Sequence, residues 1–449
     1  MISTNSRQLA LDLVCRVSIE NAYANLLMPK LISQAKLDSR DANFAQELGF
    51  GAIRWQLTYD TIIDSVSSRS VSQIDIVLLN CLRLGSHQLL NMRVPNHAAI
   101  SETVDLVRNN CGEKVVGFAN GILRRVSERN LADWVEILSN GKTKNEQLSI
   151  RYSHPEWIIA ALSQSMAVDG LKDDLESLLA VNNIPPAVNL VALPGRANVN
   201  QYEKDNNLNQ FSPFGFNIES GNPSELQGFT DGSVRVQDEG SQLAALGLAT
   251  YDQIRKEEKW LDMCAGPGGK AALLAALAQQ QDAIFEANEI LPHRAELVSK
   301  ALSPLGNFKV TQKDGISIGE DFPDSYDRIL IDAPCTGLGA LRRRPEARWR
   351  KQPGDLKDLT ELQLSLIASG LKALKPGGLL LYVTCSPHLS ETTAVIDKAS
   401  RKFGAEVLDF TGHMNKKFMR ESLPSGRKTV QLHTQRDNTD SMFMALLTK

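Results

Sequence analysis

From Ser6 to about Asn130, apolar residues recur at the spacing of a single helix face. Leu9, Leu11, Leu13 and Val14 show it first, and Ile74, Ile76, Leu78, Leu79 and Leu82 show it again. That periodicity predicts amphipathic helices, and alternating β-branched runs and tight hairpin signals are scarce there. Residues 1–140 are therefore expected to form an all-α bundle of about five to seven helices. Residues 141–233 have another character. Ser153-His-Pro-Glu-Trp157, the turn-like Asn182-Asn-Ile-Pro-Pro186, a short strand at 188–192 and polar stretches at 198–209 and 220–224 predict a small α+β connector with long loops. His154-Pro155 reads as a structural turn.

From residue 234 to 449 the pattern alternates strand and helix. Residues 259–263 read as a strand and 271–278 as the start of a helix. Strands at 283–287 and 308–311 flank a helix at 294–302, and two apolar runs, 326–332 and 378–384, flank a long helix at 355–374. Such alternation indicates a doubly wound α/β sheet, Rossmann-like in class. Near the end, 429–433 and 441–447 are expected to pair as a closing antiparallel hairpin. No internal repeat or low-complexity tract interrupts this plan.

Composition narrows the class. The chain has 449 residues, enough for about two to four domains. No apolar stretch reaches the roughly eighteen residues that a membrane span needs. Met1-Ile-Ser-Thr-Asn-Ser-Arg7 lacks the charged-then-apolar pattern of a secretory signal. The 6 cysteines are too dispersed for a disulfide framework and none pair as C-x-x-C, which argues against a zinc site. A monomer in a reducing cytoplasm, without metal, is expected. A net charge of −3 gives no global sign of a nucleic-acid partner, so a polyanion would need local basic patches. Arg124, Arg125 and Arg129 form one, for which a solvated face is an equal reading. The second runs through Arg342, Arg343, Arg344, Arg348, Arg350 and Lys351 and carries Trp349, combining phosphate-binding charge with a stacking surface as single-stranded RNA requires.

Two cysteines carry the candidate chemistry. Cys335, in Asp332-Ala-Pro-Cys-Thr-Gly, and Cys385, in Thr384-Cys-Ser-Pro, each follow a predicted buried strand. The carboxyl ends of parallel strands form the ligand crevice of such a sheet, so both thiols are delivered to one edge. A deprotonated thiol attacks electron-poor carbon, which points to covalent catalysis. A small buried hydrophobe is the bland reading of either cysteine alone. Between the first strand and its helix lies Asp262-Met-Cys-Ala-Gly-Pro-Gly-Gly-Lys270, where glycines admit close backbone approach and a helix start offers free N–H groups. Its spacing is neither G-x-G-x-x-G nor Walker A. Glu289 after the second strand suits ribose hydroxyls, and Asp314 after the third suits an adenine edge, although for either acid alone a helix N-cap or surface role is an equal reading. Together these describe an adenosine ligand without phosphates, and S-adenosylmethionine fits.

With Gln237-Asp-Glu-Gly-Ser-Gln-Leu243, the loop Cys264, Ala265, Gly266, Pro267, Gly268, Gly269, Lys270, then Glu289 with Arg294, Asp314, Asp332-Ala-Pro-Cys335, Arg343-Arg344-Pro345, Thr384-Cys-Ser386 and Asp440-Ser-Met-Phe443 in order, the chain resembles the NOL1/NOP2/Sun family of RNA (cytosine-5)-methyltransferases. Its helical front end resembles a NusB-type RNA-binding domain. The pairing resembles the bacterial enzymes of 16S rRNA, with tRNA or another rRNA site as the alternative target and a non-catalytic RNA-binding assembly factor as the rival class. Family loops more often carry alanine at 266 and threonine at 271; here Gly266 and Ala271 stand instead, and glycine is readily accommodated. The resemblance implies that Cys385 adds to carbon 6 of an unstacked cytosine and that Cys335 assists product release. The residues alone leave that order open, because DNA cytosine-5 methyltransferases attack from a Pro-Cys cysteine. Asp332 is the candidate acid at N3, and Lys270 is a candidate contact to cofactor or base, with a phosphate-binding or surface lysine as an equal reading.

Overall fold

The computed structural model describes residues 6–218 and 222–449. The opening residues and the beginning of the polar 220–224 stretch lie outside the described residues. The chain divides into two compact units. One holds residues up to 163 together with 173–184 and 341–351; the other holds 164–172, 185–340 and 352–449.

In the first unit, seven helices lie between Ser6 and Val126: Ser6–Ile19, Ala24–Ala35, Ser39–Arg54, Gln56–Val66, Ile76–Leu90, Asn96–Cys111 and Val116–Val126. The helix Ile76–Leu90 is the centre of the bundle. Asp75 caps it by accepting from the N–H groups of Val77 and Leu78, and every residue from Leu78 to Gln88 is buried. Two of its polar members are anchored within the bundle: Arg83 forks onto Asp60 at 2.6 and 2.7 Å, and His87 Nδ1 lies 2.8 Å from the Tyr59 hydroxyl. His154 is likewise buried and structural, its Nδ1 2.7 Å from the Tyr152 carbonyl, as the turn reading expected.

The segment 341–351 corrects one sequence-based expectation. Arg348 is 1% exposed, and its guanidinium donates to Arg54 O at 2.9 Å, Ser153 O at 3.1 Å, Asn183 Oδ1 at 2.8 Å and Asn182 O at 2.8 Å. Trp349 donates from Nε1 to Ile53 O at 2.8 Å and packs its ring on the helical core. Glu346 accepts from the Ala24 N–H at 3.3 Å, and Arg350 lies over the Tyr23 ring at 5.0 Å. Arg348 and Trp349 therefore hold the helical unit together, and Arg348 has no exposed guanidinium to offer a phosphate. The cause is hydrogen-bond accounting. Helix ends and turns leave buried carbonyls without partners, and a guanidinium with five donors can answer several at once. Of the other two residues assigned to RNA, Arg343 is half-buried and Arg344 is exposed.

The second unit contains two sheets. Strands β1 (Val188–Ala192), β2 (Asn207–Leu208), β3 (Gly215–Ile218) and β4 (Val234–Val236) form an antiparallel sheet in the order β2-β3-β1-β4. The larger sheet has β5 (Lys259–Asp262), β6 (Ile284–Asn288), β7 (Lys309–Thr311), β8 (Tyr326–Asp332), β9 (Leu374–Thr384), β10 (Glu406–Val407), β11 (Val430–Gln431) and β12 (Phe443–Thr448). Its order is β10-β12-β9-β8-β5-β6-β7, with β11 also on β12. Strands β5 to β9 are parallel, and β12 runs antiparallel beside β9. The expected closing hairpin is present, with Val430 opposite Met444 and Gln431 opposite Phe443. Alternation along β8 sorts its side chains between two cores: Leu330 joins the helices 239–250 and 269–280 on one face, and Ile329 and Ile331 join the helix Asp355–Ala373 on the other. From β5 the order runs outward to β6 and β7 on one side and to β8 and β9 on the other. That reversal creates the ligand crevice at the carboxyl ends of β5 and β8.

Replacing Arg348 with methionine should destabilise the helical unit. Each stranded buried acceptor costs about 1–3 kcal/mol, so a net loss of at least about 3 kcal/mol is expected. Urea unfolding followed by far-ultraviolet circular dichroism measures it, and a loss below about 1 kcal/mol would contradict the structural role.

Candidate active site

Asp332 ends β8 directly opposite Val383 of β9, and beyond the ladder the Ala333 N–H still donates to Val383 O at 2.9 Å. The two chains thus leave the sheet side by side. Cys335 and Cys385 follow, with sulfurs 3.4 Å apart. The Gly339 N–H donates to Cys385 O at 2.9 Å and closes the Cys335 loop onto the Cys385 turn. No side chain fits at 339, since a Cβ would stand 1.9 Å from Ser441 O. The Cys335 thiol is held well above the ordinary cysteine range, first by its hydrogen bond with Cys385 and then by burial. Cys335 keeps its proton at neutral pH and can offer it to Cys385.

Lys270 reaches the same edge from the start of the helix Gly269–Gln280, and its Nζ lies 2.9 Å from Asp332 Oδ2. Burial pulls this ammonium down, but the charge and hydrogen bond of Asp332, with Cys385 and Asp262 beyond, raise it above the usual lysine value. It stays charged. The loop before it is tightly built. Gly268 has φ +107°, and a Cβ there would stand 2.5 Å from the Ala301 Cβ. Gly266 donates its N–H to Glu289 Oε2 at 3.1 Å, and a Cβ at 266 would lie 2.2 Å from that oxygen. A larger residue at 266 would therefore require the Glu289 and Arg294 side chains to shift, whereas glycine leaves them in place. Glu289 also accepts from the Leu291 N–H at 3.0 Å and pairs with Arg294 at 3.5 Å, while Arg294 donates to Gly266 O. Asp314 is exposed and caps the turn 315–317 through the Ile316 N–H at 3.1 Å. Burial, then the charges of Asp262 and Asp332, push the Cys264 thiol up, so this third cysteine stays protonated.

Asp262, at the end of β5, is a site residue that the sequence reading quoted in its motif but did not single out. It is fully buried, and neither carboxyl oxygen has a hydrogen-bond partner. Burial first, then the charge of Asp332, pushes it up to about 8; the Lys270 charge opposes that rise without reversing it. Its position at the end of the first strand was the available signal. Thr336, Gln363, Ser386 and Glu391 form a second unforeseen group behind the cysteines.

Residues 249–448 match the family described as 16S rRNA methyltransferase RsmB/F, and residues 4–128 match the NusB family. A ribosomal RNA small subunit methyltransferase B of Klebsiella pneumoniae is 30% identical over 402 residues, spanning 85% of this chain and 86% of that protein. The chain belongs to the RsmB/F family. A Mycobacterium tuberculosis protein whose name says methyltransferase and no substrate is 40% identical over 447 residues, covering 98% of this chain and 96% of that one. The crystal structure of PH0851 shares the fold, with a TM-score of 0.79 at 21% identity over 100% of this chain and 99% of that chain.

As an RsmB/F protein the chain is an S-adenosylmethionine-dependent rRNA methyltransferase with a NusB-type helical region. The crevice fits that cofactor. Asp262 offers two unpartnered oxygens, and with Glu289 and Asp332 it makes an acidic lining that suits a ligand carrying a sulfonium charge. Gly268 brings backbone where a side chain would not fit, and Gly266 does so where one would displace Glu289. Among the described residues no cluster of histidine, cysteine and acidic groups is arranged to hold a metal ion. Among them, too, no helix is long and apolar enough to cross a membrane.

A cationic ligand favours the ionised form of Asp262, which exists above pH about 8 in the free protein. Affinity for S-adenosylmethionine should thus weaken as pH falls through about 8. In Asp262→Asn binding should be weaker and this pH dependence flatter. Titration calorimetry across pH measures both, and parallel curves for the two proteins would remove Asp262 from the binding site.

Proposed function

We propose that this protein methylates carbon 5 of a cytosine in 16S rRNA through a covalent adduct on Cys385. The observation that carries the reading is the meeting of two thiols, 3.4 Å apart, with the Lys270–Asp332 pair at one sheet edge. Carbon 5 of cytosine is too weak a nucleophile to take a methyl group unaided. Addition of the Cys385 sulfur to carbon 6 moves an electron pair toward carbon 5 and makes it enamine-like. S-adenosylmethionine supplies the electrophilic methyl group. Loss of the carbon 5 proton to solvent then restores the ring double bond, the carbon 6–sulfur bond breaks with its pair on the Cys385 sulfur, and the Cys335 thiol can hydrogen-bond to that leaving sulfur.

The surroundings support unequal roles for the two cysteines. Lys270 interacts electrostatically with Cys385 and favours its thiolate, whereas Cys335 keeps its proton. Cys385 is accordingly the nucleophile and Cys335 the partner in product release. Asp332, held by Lys270, faces N3 of the base and stabilises its protonated or hydrogen-bonded form during attack. Cys264 to Lys270, Glu289, Arg294 and Asp314 hold the cofactor. The base must be unstacked to reach this edge, so a loop or an opened helix in the RNA is the target. Arg343 and Arg344 remain the RNA contacts of the basic segment.

Cys385→Ala should abolish methylation and leave no covalent complex on RNA carrying 5-fluorocytosine, whose fluorine blocks loss of the carbon 5 proton. Cys335→Ala should still attack and should accumulate an RNA adduct that resolves slowly. Denaturing electrophoresis reads both, and the opposite pattern reverses the roles. A base-resolution methylation map of rRNA from cells with and without the protein tests the substrate; an unchanged 16S rRNA map moves the target elsewhere.

A further inference from the structure

Glu391 lies beyond Cys385, just ahead of the helix Thr393–Phe403, and is fully buried. An enclosed carboxylate is costly unless donors surround it, and here four do. Oε1 accepts from the Thr336 N–H at 2.8 Å and from the Gln363 side-chain amide at 3.2 Å. Oε2 accepts from the hydroxyls of Thr336 and Ser386, at 2.5 and 2.6 Å. Thr336 directly follows Cys335, and Ser386 directly follows Cys385. Gln363 also donates to the carbonyl of Pro334, the residue before Cys335, at 2.8 Å.

This wiring differs from that of an ordinary helix cap. A carboxylate at this point would usually turn onto the first N–H groups of the helix that follows. These side-chain bonds go instead to the two cysteine loops and to the glutamine that braces one of them. The strand ladder brings the loops side by side, but it ends at Asp332 and Val383 and leaves the loops beyond it to be fixed by other bonds. Hydrogen bonds to a carboxylate are about twice as strong as neutral ones, so Glu391 is well suited to that task.

We propose that Glu391 is a positioning residue that locks Cys335 and Cys385 at the separation needed for the covalent cycle. The inference rests on the reading of the two thiols as nucleophile and release partner. Its bonds reach the peptide and hydroxyl groups next to the cysteines, so it acts through Thr336 and Ser386.

Glu391→Gln in the full-length protein keeps the shape but replaces one acceptor oxygen with a donor, so the four inward donors can no longer all be satisfied. One readout is independent of methylation: diamide takes one hydrogen from each thiol and leaves a Cys335–Cys385 disulfide. In Glu391→Gln that oxidation should slow by about tenfold or more, while S-adenosylmethionine affinity stays at the wild-type value. The second readout is turnover, where kcat should fall comparably with KM for RNA unchanged. A Thr336→Val, Ser386→Ala double variant should reproduce the loss, and adding Glu391→Gln to it should cost little more. Unchanged oxidation and unchanged kcat overturn the proposal. Additive losses together with weakened cofactor binding also overturn it, by showing a general structural role. Slower oxidation with unchanged methylation upholds the positioning and instead sinks the reaction assigned to the thiols. If Glu391→Gln does not fold, Ser386→Ala alone removes one of the four bonds and is judged by the same two rates.

Discussion

The parallel pairing of β8 with β9 is the constraint on which the catalytic edge depends. It sets Asp332 opposite Val383, so the Asp332-Ala-Pro-Cys335 and Thr384-Cys385 turns start level. Core packing enforces that register. Ile329 and Ile331 belong to one buried cluster and Leu330 to the other, on the opposite face of the sheet. A slip of one residue would send each to the wrong side. Exposing or mismatching a single such side chain costs about 1.5–3 kcal/mol, and the total stability of a domain is only about 5–15 kcal/mol. Three misplaced residues on one strand would consume most of it. The placement of the two thiols is in this sense a consequence of apolar burial deeper in the sheet.

Charge is arranged on that frame to suit a cationic ligand. Asp262, Glu289 and Asp332 line the carboxyl ends of the strands, against Lys270 and Arg294. The two basic groups are already engaged, Lys270 by Asp332 and Arg294 by Glu289 and the Gly266 carbonyl. Asp262 alone lacks a partner, and it holds a proton up to a pH of about 8. A buried acid in that condition destabilises the ionised crevice until a positive ligand arrives. The same logic explains why a chain of net charge −3 can be an RNA enzyme: its overall balance says little about the local fields that select cofactor and substrate.

The strands, their order of appearance and the cofactor loop were legible because each has a local signature. Continuous apolar runs mark β8 and β9 as strands buried on both faces, and the glycines of 266–269 mark a loop where backbone must come close. Partners far apart in sequence were not legible. Glu391 meets Thr336 and Gln363 only through the fold, and nothing in the spacing of Ser386 to Glu391 announces a clamp. Arg348 and Trp349 misled for a related reason. A run of arginines has the composition of a solvated or RNA-facing surface, and only the unmatched carbonyls of Arg54, Ser153 and Asn182 show why a guanidinium is drawn inward. The crowding around Gly266 was not legible for the same reason, because the Glu289 and Arg294 side chains that fill it come from beyond the end of another strand.

The two cysteines show how neighbouring charges can sort like groups. Two thiols in contact share one proton more readily than they lose two, since the second ionisation meets the charge of the first. The choice of sulfur then falls to the surroundings. Beyond the shared hydrogen bond and burial, the negative charges of Glu391 and Asp332 bear on Cys335 and discourage its ionisation. The Lys270 ammonium interacts with Cys385 and encourages it there. These influences favour the proton on Cys335. The sulfur left to carry charge is the one that the proposed mechanism sends to carbon 6, and the sulfur that keeps the proton is the one assigned to release. The residues alone left these roles interchangeable; it is the charges that bear on the two sulfurs that favour one order over the other.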